Sequence, residues 1–264
     1  MFRPFDRALA LSAVIGAAVL VCDPSFTVSA QAPALPTGRE VVARHLEAMG
    51  GEAAFRAVTS MRARGTLSLT AQQIGGEVEI FSARPNRQLL RATIGGIGQI
   101  ENGYDGTIGW SINPMTGATL MSGRELVELA DDAVFDSPRY PASHVKDLAV
   151  VGREEFDGRQ AWRMKVTFVS GNEQFELFDV ETGRQIGSES RRETPLGVVP
   201  TTTFAREYKT FGALTLPTVL VQKALGFEQV VTLSSYEFNT VPPETFAVPP
   251  RIKALIKSPA QARR

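Results

Sequence analysis

The stretch Tyr104–Phe135, YDGTIGWSINPMTGATLMSGRELVELADDAVF, contains a two-strand hairpin followed by an amphipathic helix. Glycine-containing turns at 104–107 and 113–117 mark the ends of its first strand, because glycine tolerates the positive φ that tight turns require. Between the turns, apolar residues alternate with small or polar ones, which is the period of a half-buried strand. The apolar set is Ile108, Trp110 and Ile112.

The second half of this stretch has the signals of a helix. Ser122 and Glu125 have the S-x-x-E spacing of a capping box, which predicts that a helix begins at Ser122 and continues to Phe135. Apolar residues recur at helical spacing and form one stripe opposite charged residues. The stripe consists of Leu126, Leu129, Ala130, Ala133 and Val134. Such a helix needs an apolar surface to lie on, and the rest of the chain has to supply it.

Most of the remaining chain has the alternation of β-strands. We count about eleven strands at spacings of roughly 8–12 residues, preceded by a helix that begins at a second capping box, Thr37 and Glu40. The sequence therefore predicts a mainly β (α+β) protein. Its expected core is a strongly curved antiparallel sheet, or unclosed β-barrel, with an N-terminal helix and one inserted helix. No linker and no internal repeat divides it, so we expect a single domain over residues 37–250.

Both chain ends differ from this domain. Residues 1–30 have the pattern of a secretory signal peptide, with two arginines, an apolar run from Ala8 to Val21 and a small-residue cleavage site. A flexible leader, 31–36, is expected to follow. An uncleaved N-terminal segment, or a lipid attached to Cys22, would instead anchor the chain to a membrane. At the other end, 251–264 is expected to be a loose basic tail.

Composition and charge exclude some function classes. The 264 residues include 28 Lys plus Arg against 28 Asp plus Glu, and 43% are hydrophobic, which is ordinary for a globular protein. Because the charges balance, no electrostatic attraction to nucleic acid is expected. Cleavage after Ala30 would remove Cys22, the one cysteine, and would leave a mature chain without thiol chemistry.

The residue types used in catalysis form no recognisable motif. The two histidines, His45 and His144, have no histidine, cysteine or carboxylate partner at a metal-ligand spacing, so we interpret both as surface or packing residues. No nucleophile elbow, zinc-protease or serine–lysine motif occurs. The sequence predicts a protein that is not an enzyme and binds no metal or cofactor, since a hydrolase would need a polar triad inside the fold.

A curved sheet turns one set of alternating apolar residues inward, and an incompletely closed barrel leaves room for a ligand. The inserted helix would cover that cavity, either as permanent core, which its periodicity alone favours, or as a movable lid. The predicted inward set is Met61, Leu67, Leu69, Val78, Ile80, Leu89, Trp110, Ile112, Met164, Val166, Phe168 and Phe175.

Several motifs together resemble the periplasmic outer-membrane lipoprotein-sorting (LolA-like) proteins. They are the signal pattern, a first helix ending in GGEAAFRAV, a G-x-L-x-L strand at 65–69, the Arg84-Pro85 turn, YDGTIGWSINPMTG, the capped helix, and YEFN followed by PPETFAVP. The resemblance covers roughly residues 37–249.

The resemblance implies an unclosed antiparallel barrel around helices that act as a lid over an apolar cavity for acyl chains. An arginine holds the lid shut in the classical carrier, and Arg62 and Arg64 are the candidates here. The segment that matches the cavity wall and the lid of that family contains Trp110, Ile112, Met115, Leu126 and Leu129.

The implied function is that of a monomeric periplasmic binding or carrier protein. It would hold lipoprotein acyl chains, or another lipid-like ligand, in an apolar cavity gated by a helix. The alternative is an envelope sensor or scaffold of the same fold that contacts a protein partner without lipid transfer.

Overall fold

Thirteen antiparallel strands form one sheet in the computed structural model, which describes residues 34–257 except 195–196. One compact unit begins at Leu35. The predicted signal peptide lies outside the described residues, as do 31–33 of the leader and 258–264 of the tail.

The strands are β1 (Ser60–Leu69), β2 (Ile74–Ala83), β3 (Arg87–Ile94), β4 (Gly98–Tyr104), β5 (Gly109–Asn113), β6 (Gly117–Leu120), β7 (Val145–Phe156), β8 (Arg159–Phe168), β9 (Glu173–Asp179), β10 (Gln185–Thr194), β11 (Gly197–Phe211), β12 (Leu214–Ala224) and β13 (Phe227–Phe238). The helices are α1 (Gly38–Ala48), α2 (Glu52–Arg56), α3 (Gly123–Asp132) and α4 (Pro250–Lys257). Short 3₁₀ turns occur at Thr70–Gln72, Ser137–Arg139 and Pro243–Phe246. Among the described residues, no helix has the length and apolar character needed to cross a membrane.

Neighbouring strands in the sheet are consecutive in the chain, except that β1 pairs with β13. This pairing brings Met61 opposite Phe238 and Leu69 opposite Gln229. The sheet ends at β6 on one side and at β7 on the other, so it remains unclosed. The predicted unclosed antiparallel barrel is confirmed, with thirteen strands against about eleven expected.

Helices cover both faces of the sheet. We call the face that carries α1 and α3 the inner face and the face that carries α4 the outer face. On the inner face, Val42 and Leu46 of α1 pack with Met164, Val166 and Phe178. Because the sheet does not close, each face has apolar residues that need a cover.

The two predicted capping boxes have different outcomes. At α1 the box is confirmed, since the Glu40 amide donates to Thr37 Oγ1 (3.3 Å) and the Thr37 amide donates to Glu40 Oε2 (2.6 Å). At α3, Ser122 occupies the N-cap position but its side chain makes no cap hydrogen bond. Gly123 has a φ of 57°, which turns the chain away from the geometry in which the Ser122 hydroxyl would reach the first-turn amides.

The expectation of a loose tail from residue 251 is wrong for residues 251–257, which belong to α4. The physical reason is burial. Ile252 has no exposed surface and packs with Phe246, Leu89 and Trp110 on the outer face. Full burial of an isoleucine side chain stabilises by about 1.5–3 kcal/mol, which is enough to hold a short helix on the sheet.

Replacing Ile252 with alanine tests this packing. Ile252→Ala leaves a cavity between α4 and the sheet, and we expect the free energy of unfolding to fall by about 2–4 kcal/mol. Ile256 is 44% exposed on the same helix, so Ile256→Ala should cost less than about 1 kcal/mol. Urea denaturation measures both variants, and equal small losses would contradict the assigned packing.

Candidate functional site

Helix α3 crosses the inner face of the sheet and first contacts β5, next to the free edge β6. Leu126 and Leu129 approach Gly109 so closely that a Cβ there would lie 2.8 Å from Leu126 Cδ1 and 2.9 Å from Leu129 Cδ2. A larger residue would force these leucine side chains to shift, so glycine at this position allows the close approach of the helix.

Polar contacts join α3 to the strands near the other free edge. Asp131 accepts hydrogen bonds from Ser170 Oγ (2.6 Å) and Asn172 Nδ2 (2.7 Å) in the β8–β9 turn. Asp132 forms an ion pair with Arg192 of β10, with 2.8 Å between Nη1 and Oδ2. Helix α3 therefore bridges the opening of the sheet, by leucines at one side and by aspartates at the other.

The packing of α3 itself is light. Within the helix, Glu128 is the one fully buried residue, whereas Leu126 and Leu129 are half-buried and Val127 is 39% exposed. Two half-buried leucines contribute about 2–3 kcal/mol by apolar area. Elements with so little buried apolar surface open at a lower free-energy cost than core strands.

The segment after α3 is fixed more firmly. The Phe135 amide donates to the Pro85 carbonyl (3.0 Å), and the Arg84 guanidinium lies 5.0 Å from the Phe135 ring centroid. Arg84 also forms an ion pair with Asp136 and donates from Nε to the Val58 carbonyl (2.9 Å). This anchor holds the chain in place directly after the lightly packed helix.

An apolar recess of about 170 Å³ lies against segment 132–138. Its volume is close to the roughly 150 Å³ of an engineered apolar cavity that binds benzene, and below the roughly 300–1,000 Å³ of pockets for larger ligands. Its apolar lining consists of Met49, Phe55, Val58, Met61, Ala133, Val134, Phe135, Leu214 and Leu216.

The inner face of the central strands is apolar as well. Strand register places one alternating set from β1, β2, β3, β12 and β13 on this face. The buried members form one cluster: Ala63, Leu67, Val78, Ala92, Ile94, Val231 and Leu233. The apolar recess is thus adjacent to a wall that has the same chemistry over several strands.

Beyond Phe178, the inner face of β9 and β10 carries polar residues instead. Glu176 of β9 is 4% exposed and accepts hydrogen bonds from the side-chain amides of Gln174 and Gln185. Burial raises the pKa of Glu176 to about 8, more than these hydrogen bonds lower it, so the carboxyl is mostly protonated at neutral pH. It belongs to a polar recess of about 160 Å³, lined by Asp131, Asp132, Ser137, Pro138, Tyr140, His144, Phe168, Gln174, Glu176 and Gln185.

His144 lies in the wall of this polar recess and is 8% exposed. Burial lowers its pKa, although the carboxylates of Asp131 and Asp132 act in the opposite direction. Its Nδ1 lies 3.8 Å from Asp131 Oδ1, while Nε2 has no hydrogen-bond partner in the described part of the chain. The imidazole is therefore neutral at pH 7 and retains one unused polar atom.

No family model and no curated protein matches the sequence. Solved structures do match its fold. A LolA superfamily protein of Nitrosomonas europaea has a TM-score of 0.54 at 11% identity, over 81% of this chain and 99% of that one. A DUF1329 family protein of Desulfovibrio piger has a TM-score of 0.55 at 12% identity, over 80% of this chain and 95% of that one. The chain has a LolA-like fold.

Most of the predicted inward residues lie on the inner face of this LolA-like fold. Met61 lines the apolar recess, and Phe168 lines the polar one. The others belong to the inner apolar clusters: Leu67, Leu69, Val78, Ile80, Met164 and Val166. Contact with a ligand remains a prediction for all of them, as it does for Leu126 and Leu129 on α3.

Five predicted positions lie elsewhere in the LolA-like fold. Leu89, Trp110 and Ile112 lie on the outer face with α4, because an unclosed sheet buries apolar residues on both faces. Phe175 also points outward, where the Arg163 guanidinium is 3.9 Å from its ring centroid. Met115 is 80% exposed in the β5–β6 turn.

The two candidate lid arginines do not contact α3. Arg62 pairs with Glu79 on the outer face, and Arg64 pairs with Glu79 (3.1 Å) and Glu237 (2.8 Å). Among the residues described, the arginine that reaches α3 from a strand is Arg192.

Sequence reasoning missed the polar inner wall. Strand β10, QIGSESRRET, is polar at nearly every position, and such a pattern taken alone predicts a solvent-exposed strand. The available signal was its position between other strands. A strand inside a curved sheet directs one of its two faces inward. Every second residue of β10 therefore has to face the interior of the fold, although most of these residues are polar.

The raised pKa of Glu176 gives a testable dependence of stability on pH. Between the unfolded value near 4.5 and the folded value of about 8, the folded state holds a proton that the unfolded state releases. The contribution of Glu176 to stability is therefore full at low pH and is lost as the pH rises to about 8. Glutamine does not titrate, so Glu176→Gln should become more stable relative to wild type from pH 5 to pH 8, by on the order of 3 kcal/mol.

Denaturant melts across that pH range measure the difference. Glu155→Gln is the matched control, because Glu155 is exposed on β7. Its stability should parallel that of wild type. Parallel curves for Glu176→Gln as well would contradict the assigned environment of this carboxyl.

Proposed function

We propose that this protein binds or carries the acyl chain of a lipoprotein, or of another lipid-like ligand, in the periplasm, and that α3 gates the cavity. One observation carries the proposal: a helix without a buried apolar side chain crosses the inner face, and the segment directly after it lines an apolar recess on the same face as the apolar wall. The N-terminal signal pattern supports the location. Binding alone needs no catalytic group, so the protein is proposed not to be an enzyme.

The free energy of moving an acyl chain out of water is consistent with binding to an apolar interior of this kind. Moving one methylene out of water is worth about 0.8 kcal/mol, so an acyl chain of ordinary length requires on the order of 10 kcal/mol of apolar contact. The inner apolar wall supplies surface of that kind over strands β1–β3, β12 and β13. A binder that also releases its ligand needs a cover whose closed state is only slightly favoured.

The size of the apolar recess makes movement of α3 part of the proposal. About 170 Å³ accommodates a few methylenes and leaves no room for a whole chain. Withdrawing Leu126 and Leu129 from Gly109 and releasing Asp131 and Asp132 would expose the wall behind the helix. The contacts of Arg84 would keep the following segment in place during this movement.

Native mass spectrometry of protein purified from the periplasm tests the binding. We expect a bound amphiphile that organic extraction releases, because an apolar interior of this kind retains lipid during purification. The same preparation denatured before extraction serves as the control for lipid that adheres non-specifically. Repeated recovery of ligand-free protein that also takes up no added fatty acid would refute the function.

A disulfide between α3 and the β8–β9 turn tests the gate. Asp131 Oδ2 and Ser170 Oγ are 2.6 Å apart, so Asp131→Cys combined with Ser170→Cys places two thiols next to each other. Under oxidising conditions we expect uptake of a fluorescent fatty acid to slow by about ten-fold or more, and to recover on reduction, since the helix can then leave. The single variant Ser170→Cys is the control. Equal uptake in the oxidised and reduced forms would show that α3 need not move.

A second candidate function is that of an envelope sensor or scaffold, favoured by a cleft on the outer face. This cleft of about 790 Å³ is larger than the apolar recess and has charged groups at both sides, including Arg91, Glu101, Glu244 and Arg251. A polar cleft of this size suits a peptide segment better than a lipid. Loss of an envelope partner on Arg251→Glu, in protein that carries no lipid, would favour this role.

A further inference from the structure

Among the described residues, the polar recess is lined by the carboxyl groups of Asp131, Asp132 and Glu176 and by no lysine or arginine. Arg192 pairs with Asp132 (2.8 Å), and Arg124 pairs with Glu128 (3.2 Å). Asp131 and Glu176 receive hydrogen bonds only from neutral groups among the described residues, namely Ser170, Asn172, Gln174 and Gln185. In the described part of the chain, these two carboxyl groups thus form no ion pair with a lysine or an arginine.

His144 adds an independent acceptor. Asp131 Oδ1 lies 3.8 Å from Nδ1, which is too far for a direct hydrogen bond, but its negative charge is on that side of the ring, so we assign the proton of the neutral imidazole to Nδ1. The lone pair is then on Nε2, the buried atom for which the described residues provide no partner. An acceptor that is nine-tenths buried and unused, in the wall of a polar recess, indicates a donor that comes from outside the chain.

The polar recess adjoins the apolar one. Asp132, Ser137 and Pro138 line both, so the segment after α3 forms the boundary between them. A molecule that extends across this boundary would have its tail among Met49, Phe55 and Leu216 and its head among the carboxyl groups. Only an amphiphile satisfies both sides of such a boundary.

We propose that the polar recess binds a protonated amine in the head group of an amphiphile whose tail enters the apolar recess. This inference rests on the proposed lipid-binding function and specifies its ligand class. An ammonium group donates up to three hydrogen bonds, and the recess offers Asp131, Glu176 and the Nε2 atom of His144 as acceptors.

The same geometry disfavours an anionic head group. A carboxylate or phosphate placed in the recess would face Asp131 and Asp132 at close range, where like charges repel strongly because little water separates them. Arg192 is already paired with Asp132, so its charge is largely committed to that carboxylate. The recess therefore discriminates by charge as well as by hydrogen bonding.

Titration with three amphiphiles of equal tail length tests the proposal. Delipidated full-length protein is titrated calorimetrically at pH 7 with dodecylamine, dodecanol and dodecanoate, each below its micellar concentration. A charge-assisted hydrogen bond in a buried site corresponds to about ten-fold in affinity or more, so dodecylamine should bind at least about ten-fold more tightly than dodecanoate.

Substitutions in the polar recess test whether this recess causes the preference for the amine. Glu176→Gln and Asp131→Asn keep the shape of the side chains and remove their acidity, so each should reduce the preference for dodecylamine over dodecanoate several-fold. The matched control Glu155→Gln changes an exposed carboxylate in the same way and should retain the full preference.

Each outcome has a separate meaning. Equal binding of amine and carboxylate by wild type, or an undiminished preference in both recess variants, would overturn the amine site and leave lipid binding intact. Binding of none of the three amphiphiles would overturn both the amine site and the proposed function.

Discussion

An unclosed sheet has two faces that both need a cover, and the rest of the structure depends on this constraint. In a small closed barrel the side chains of the strands fill the interior, and the exterior faces solvent. Here β6 and β7 end the sheet without meeting, so helices have to bury the apolar residues on each side. Helix α4 does this permanently on the outer face, where Ile252 and Phe246 have almost no exposed surface. Helix α3 covers the inner face with much less buried apolar surface.

The contrast between α3 and α4 follows from the residues each one buries. Helix α4 is held by apolar packing, which is non-directional and is lost only when the helix leaves the sheet. Helix α3 is held at one side by two half-buried leucines and at the other by Asp131 and Asp132. Polar contacts of this kind exchange readily for contacts with water, so their net contribution is small. The inner cover is consequently the element of the fold best suited to move.

Much of the fold could be predicted from the sequence, because the signals are local. Period-two alternation identified the strands, and the Thr37 capping box identified the start of α1. Alternation alone cannot say which face is inside when both faces bury apolar residues, and Leu89 and Trp110 lie outside for that reason. The polar recess could not be predicted either. Glu176 has the pattern of a solvent-exposed residue until the register of β9 and β10 places it opposite Ser188, where Gln185 donates a hydrogen bond to it.

The pairing of β1 with β13 also determines the order in which the chain can assemble. Met61 pairs with Phe238, a separation of 177 residues (238 minus 61), although the two strands are adjacent in the middle of the sheet. Hairpins on either side of this pair involve only local contacts and can form early, whereas the central pair has to wait until the last strand has been synthesised. Contacts between distant parts of a chain slow folding, because the connecting segment loses entropy before any contact is gained. A chain that emerges N-terminus first would therefore hold two separate meanders, each with an exposed edge, until its last strand arrives and joins them.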